Sequence, residues 1–125
     1  MKPLIHAKQS VKKYGGVVED YLPIHNFIDS SKICIADIRH RALLHSSFGS
    51  YLVEQMYGVY ITNADGKQVS TRDVAEEHII QDLGFIPTVE KWLSTLPIEP
   101  WMSGAMKKNV MSFDKPQDSK PLYID

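Results

Sequence analysis

Residues 32–57 read KICIADIRHRALLHSSFGSYLVEQMY, and the reading of this run decides the fold. It holds no proline, its second half is rich in strong helix formers, and its one weak point is Gly49. A long central helix is therefore expected over residues 32–48, continuing past a bend at Gly49. At 100° per residue, Ile35, Ile38, Ala42 and His45 would share one side of it, and Asp37, His40 and Leu44 another.

Toward the N-terminus, Leu4 to Tyr14 contains neither Gly nor Pro and stops at Gly15-Gly16, which predicts a short basic helix. Pro23 suits a first helical turn, so PIHNFIDSS reads as a second short helix with Ser30 and Ser31 as caps. Downstream, VYIT and KQVS flank the turn residues NADG and predict a hairpin near residues 59–69. Ser70, with Asp73 three residues on, opens the helix TRDVAEEHIIQDL, and Gly84 closes it. Thr88 caps VEKWLSTL, which Pro97 ends. The expected fold is mainly α: a bundle of four to five helices with one small β-hairpin and an extended C-terminal tail. The helical domain would span residues 1–96. The tail, residues 97–125, is either disordered or docked through Trp101 and Tyr123 on the body or on a neighbouring subunit, which would make a homo-oligomer.

Composition sets the boundaries. A chain of 125 residues, 43% hydrophobic and 23% charged, has a core to bury. A formal net charge of -1 offers no basic excess to phosphate backbones or anionic lipid, so neither nucleic acid nor a membrane is an expected partner. No apolar stretch is long enough to span a bilayer, and the start MKPLIHAKQSVKK has no secretory h-region. The lone Cys34 agrees with a reducing compartment, and the cytoplasm is the expected location. Neither a P-loop, a Rossmann fingerprint, an HExxH nor a CxxC is present.

The chemistry resides in the histidines. His25 and Asp29 are spaced i,i+4, Asp37 and His40 i,i+3, and His78 and Asp82 i,i+4 with Glu76 nearby, so each pair occupies one helix face. Imidazole and carboxylate suit Zn, Mn or Fe, and ligands on facing helices are how bundles build metal sites. His25, Asp29, Asp37, His40 and His78 are the candidate ligands of a divalent metal, and no other cofactor is expected. The same residues also read as plain ion pairs, Asp37 with Arg41 and Asp29 with Lys32, or as buried hydrogen-bonded histidines. Arg39, Arg41 and His45 are candidates for holding an anion such as phosphate, against the alternative of a solvated face. His6 is a further loose candidate. Cys34, among Ile33, Ile35 and Ala36, reads as a small hydrophobe.

The ordered strings HAKQSVKKYGG, EDYLPIH, ADIRHRALLH, TNADGKQV, AEEH, DLG and IPTVEKWL resemble, over about residues 5–93, a family of short bacterial and phage proteins grouped as a domain of unknown function. That family carries RHRAL and IPTxxxWL segments. The resemblance implies that His25, Asp29, Asp37, Arg39, His40, His45, Glu76, His78 and Asp82 stand in its defining segments, and it implies no reaction. Two functions follow from the residues. One is a small soluble protein with a His/Asp divalent-metal site acting on or binding a phosphate-containing ligand. The other is a non-catalytic bacterial or phage accessory protein that binds a protein partner or sequesters a small ligand. Whether the protein is an enzyme is left open by both.

Overall fold

Helix α1 (Pro3–Tyr14) and helix α2 (Val18–Ile28) pack as a hairpin around Gly15 and Gly16, in a computed structural model that describes residues 1–104. Both glycines have positive φ, 83° and 76°, which only Gly adopts readily. Two 3-10 turns follow, Ser30–Ile33 and Ile38–His40, then the one-turn helix α3 (Arg41–Leu44) and helix α4 (Ser47–Tyr57). Strands β1 (Tyr60–Thr62) and β2 (Gln68–Ser70) form an antiparallel hairpin in which Ile61 faces Val69. Helix α5 (Thr71–Leu83) and helix α6 (Val89–Leu93) complete the first unit of the chain, Met1–Ser94. The fold is mainly α, with six α-helices and one small hairpin among the described residues.

The local signals of α5 act as its sequence suggests. Ser70 Oγ accepts the Asp73 N–H at 3.1 Å, and Gly84 ends the helix in the left-handed region. Thr88 Oγ1 likewise accepts the Lys91 N–H at the start of α6.

Two expectations are corrected. Helix α2 begins at Val18, five residues before Pro23, because the Asp20 carboxylate accepts the Val17 N–H at 2.8 Å and starts the helix there. Pro23 then lies inside the helix at the cost of one backbone bond. The same carboxylate accepts the Ala64 N–H at 2.9 Å and so ties the hairpin turn to α2.

The long central helix does not form. Asp37 is extended and its carboxylate accepts the Arg39 N–H at 2.9 Å; Ser46 is extended and its hydroxyl accepts the Gly49 N–H at 3.2 Å. These side chains offer the backbone partners that compete with a continuous helical ladder. Gly49 is no simple bend: a Cβ there would stand 1.8 Å from the Leu44 carbonyl oxygen, so only glycine lets α4 fold back this tightly on α3.

The apolar core joins Ala7 of α1, Tyr21, Ile24 and Ile28 of α2, Val53 of α4, Val69 of β2, and Val74 and Ala75 of α5. Burying each larger side chain contributes about 1.5–3 kcal/mol. On α5 the buried stripe runs Thr71, Val74, Ala75, His78 and Ile79, and on α2 it runs Tyr21, Ile24, His25 and Ile28. The interior therefore changes from hydrocarbon to imidazole and carboxylate along the same helix faces.

A second unit begins at Thr95, and its described part carries a 3-10 turn, Pro100–Ser103. The tail expected to be extended, with Tyr123, lies from residue 105 onward outside the described residues. No helix among the described residues is long and apolar enough to cross a membrane.

Candidate metal centre

Four helical elements bring polar side chains to the second half of the interior. α1 supplies His6 and Ser10, α2 supplies His25 with Asp29 at its C-terminal cap, the end of α3 supplies His45, and α5 supplies His78 and Asp82. The i,i+4 spacings 25/29 and 78/82 place each pair on an inward face. His6, His45 and His78 are fully buried, His25 is 1% exposed, and the Asp82 side chain is 2% exposed.

His78 Nε2 lies 3.3 Å from Asp29 Oδ1 and 3.3 Å from Asp82 Oδ2. His45 Nε2 lies 2.9 Å from that same Asp82 Oδ2 and 3.5 Å from that same Asp29 Oδ1. Two ring nitrogens thus face one gap bounded by two carboxylate oxygens. A tetrahedral ion with donors about 2.0–2.1 Å away has donor–donor edges of roughly 3.3 Å. Asp29, His45, His78 and Asp82 form a group that could hold a metal ion.

Behind this group the hydrogen bonds run in one direction. His78 Nδ1–H donates to His25 Nδ1 at 2.9 Å, His25 Nε2–H donates to Ser10 Oγ at 2.8 Å, and the Ser10 hydroxyl donates to the His6 carbonyl at 3.2 Å. The order fixes His25 as the Nε2–H tautomer and places a proton on His78 Nδ1, so a neutral His78 turns an unprotonated Nε2 toward the carboxylates, a position that calls for a cation or a second proton. His6 lies 3.1 Å from Asp82 Oδ1 through Nε2 and 2.6 Å from Gln81 Oε1 through Nδ1. His6, His25 and His78 form a second close group of imidazoles, but His6 and His78 stack face to face with centroids 3.6 Å apart and planes at 20°. Imidazole lone pairs lie in the ring plane, so stacked rings do not aim at a common ion. The trio is the wall of the centre rather than a second one.

The electrostatics follow from burial and pairing. Burial lowers His25 to about 3, helped by the neighbouring His78 and His6, and lowers His45 to about 4 against the pull of Asp82. Burial also lowers His6 and His40. His78 goes the other way: burial would depress it, but the bonds to Asp29 and Asp82 outweigh that and raise it. Asp29 and Asp82 are both held below their ordinary value, since the histidine hydrogen bonds overcome the burial that would raise them. Among the described residues two buried side-chain polar atoms, Asp29 Oδ2 and His45 Nδ1, have no hydrogen-bond partner.

Of the five ligand candidates read from sequence, the structure brings His25, Asp29 and His78 together. His40 is buried next to them, with its ring edge-to-face on His45 at 5.9 Å, and its Nδ1 is 3.2 Å from Ser31 Oγ. Asp37 does not join them. It is exposed, because it caps the second 3-10 turn and grips Arg39 Nη2 at 2.7 Å, which holds its carboxyl down to about 2. The expected Asp37–Arg41 spacing presumed a continuous helix that does not form, whereas Lys32, on the 3-10 turn that follows Asp29, is among the charges that lower the Asp29 carboxyl. Of the anion candidates, Arg39 is occupied by Asp37, Arg41 approaches Asp82 Oδ1 at 4.0 Å, and His45 turns inward to the carboxylates. Asp82 and His45 are the two donors that the sequence did not place in the ligand set. The i,i+4 relation of Asp82 to His78 was the available signal for the first.

The chain belongs to the family described as Domain of unknown function (DUF6915), which it matches over residues 1–102. No curated protein and no solved structure matches it.

Proposed function

We propose that this protein is a metal-binding domain in which Asp29, His45, His78 and Asp82 hold one divalent ion. The observation that carries the reading is that two imidazole Nε2 atoms from different elements face the same two carboxylate oxygens at 2.9–3.5 Å. The four donors would neutralise a divalent ion, two carboxylates against its two charges, while the Met1 amino group at 3.2 Å and Arg41 at 4.0 Å approach the outer oxygen of Asp82, Oδ1. His25 then serves as the outer partner that orients His78, as ligating histidines require. The N2O2 donor set suits Zn²⁺ best, whereas Mn²⁺ and Fe²⁺ call for additional coordination positions. Four buried protein donors describe a closed, structural kind of site rather than a catalytic one with a position kept open. Of the three groups considered for an anionic ligand, Arg41 alone stands beside the donors, with its side chain 19% exposed.

A second reading is favoured by the raised His78: a proton takes the place of the ion, and a His78 imidazolium lies between the two carboxylates. Elemental analysis of the full chain, purified without chelators, separates the two. One equivalent of a divalent metal, lost in His78→Ala and restored to metal-stripped wild type by Zn²⁺, is the expected result. No metal in the purified chain, and no uptake of Zn²⁺, Mn²⁺ or Fe²⁺, would overturn the metal reading and leave the proton-held network.

A further inference from the structure

Residues 30–46 bury no apolar side chain fully. Their buried residues are Ser31, His40, His45 and Ser46, all polar, and none of the core hydrophobes comes from this segment. Ile33 is 92% exposed, Ile38 66% and Leu43 46%, while Ile35, Ala42 and Leu44 are half-buried. A stretch with few buried apolar contacts belongs to the low-stability end of a fold and opens locally before the core does. What fastens it is polar: His45 Nε2 on Asp82, the Trp92 Nε1–H donated to the His45 carbonyl at 2.8 Å, Arg41 near Asp82, and the Ser31–His40 bonds internal to the segment.

The segment also starts and ends at candidate ligands. Asp29 precedes its first residue, and His45 is its next to last. An ion bound to both closes the loop from residue 29 to residue 45, and His78 and Asp82 bolt that loop to α5. A metal clip of this kind removes loop entropy from the open state in the way a disulfide does.

We propose that residues 30–46 form a strap that a divalent ion fastens: metal bound through His45 holds the segment down, and the metal-free chain releases it while α1, α2, α4 and α5 stay packed. This rests on the metal reading above and adds to it a specific conformational consequence. The four helices and the β-hairpin that remain carry the whole apolar core, so the body does not need the strap in order to fold.

The test is hydrogen exchange of the full chain, stripped of metal and then given one equivalent of Zn²⁺, with bound zinc measured in the same sample. Exchange times are kept short, so that the core helices are protected in both states. The expected result is about a tenfold or greater slowing confined to peptides from residues 30–46. Trypsin should likewise cleave the metal-free chain first at Lys32 and Arg39, which are exposed, and spare both once zinc is present. In His45→Ala the strap should exchange fast with or without Zn²⁺. Zinc that binds without slowing residues 30–46, or a strap that is still protected by zinc in His45→Ala, would overturn the strap while leaving the metal site standing. Absence of bound zinc would instead overturn the metal reading, and the strap with it.

Discussion

Helix α5 buries two halves of a single stripe under different physics. Val74 and Ala75 are held by the non-directional removal of hydrocarbon from water, and so are Ile24 and Ile28 across from them on α2. One to two turns further on, His78 and Asp82 are just as buried but persist only because each polar atom finds an opposite charge or a hydrogen-bond partner. The apolar half tolerates imprecision, since a lost methylene costs about 0.8 kcal/mol. The polar half does not, since removing one member leaves its partners buried and uncompensated.

The largest expected effect breaks the polar half. Asp82→Ala takes a carboxylate from His6, His45 and His78 together and should lower unfolding free energy by about 3–5 kcal/mol in chelator, read from urea midpoints. Ile28→Ala strikes the apolar half and should cost about 2–5 kcal/mol with the metal content of the purified chain unchanged. If Ile28→Ala also strips the metal, the two halves are not separable.

Acid provides the next contrast. His25 and His45, lowered to about 3 and about 4, stay neutral in the folded chain while the unfolded chain binds their protons below about pH 6.5. The unfolded state therefore holds more protons between those limits, and stability falls as pH drops through that window. His78 has the opposite sign: its stabilisation is complete below its unfolded value and fades as pH rises through its raised folded value. At pH 5 each of these two imidazoles costs up to about 2 kcal/mol, and His78 offsets less than about 1 kcal/mol of the sum, so a net loss of roughly 3 kcal/mol between pH 7 and pH 5 is expected in chelator. An unchanged urea midpoint across that range would show that the imidazoles titrate normally.

The smallest effect lies outside both halves. Lys13 pairs with Glu77 on the surface, and Lys13→Ala should move stability by no more than about 0.5 kcal/mol in either direction. A larger change would mean that the Tyr14–Glu77 bond beside it depends on the pair.

Where the sequence was readable, the signals were local. Helix α5 lies between a serine cap and a terminal glycine, and the hairpin between two β-rich runs around NADG, so neighbours in sequence settle both. The run 32–48 misled because helix propensity is summed over side chains that here have an alternative. Asp37 and Ser46 cap backbone N–H groups that a continuous helix would have used, and Gly49 looks like a defect until the approach of the Leu44 carbonyl is seen. The candidate centre divides the same way. His25 with Asp29, and His78 with Asp82, follow from helical spacing. His45 could not, because helical geometry turns it away from His40, and only the break at residues 45–46 sends it inward to the carboxylates. The mixture of valine and alanine with histidine and aspartate along one buried stripe also hides the amphipathic character of α5 from any reading by hydrophobicity.

The Asp20 carboxylate, which starts α2 and also receives the Ala64 N–H, has a kinetic meaning. One acceptor serves a local contact three residues away and a distant one 44 residues away, so the beginning of a helix and the turn of the hairpin depend on the same side chain. A mutation there reports on both events in a folding experiment. Asp20→Ala should slow folding as well as speed unfolding if this junction belongs to the nucleus, and should only speed unfolding if the hairpin docks after the rate-limiting step.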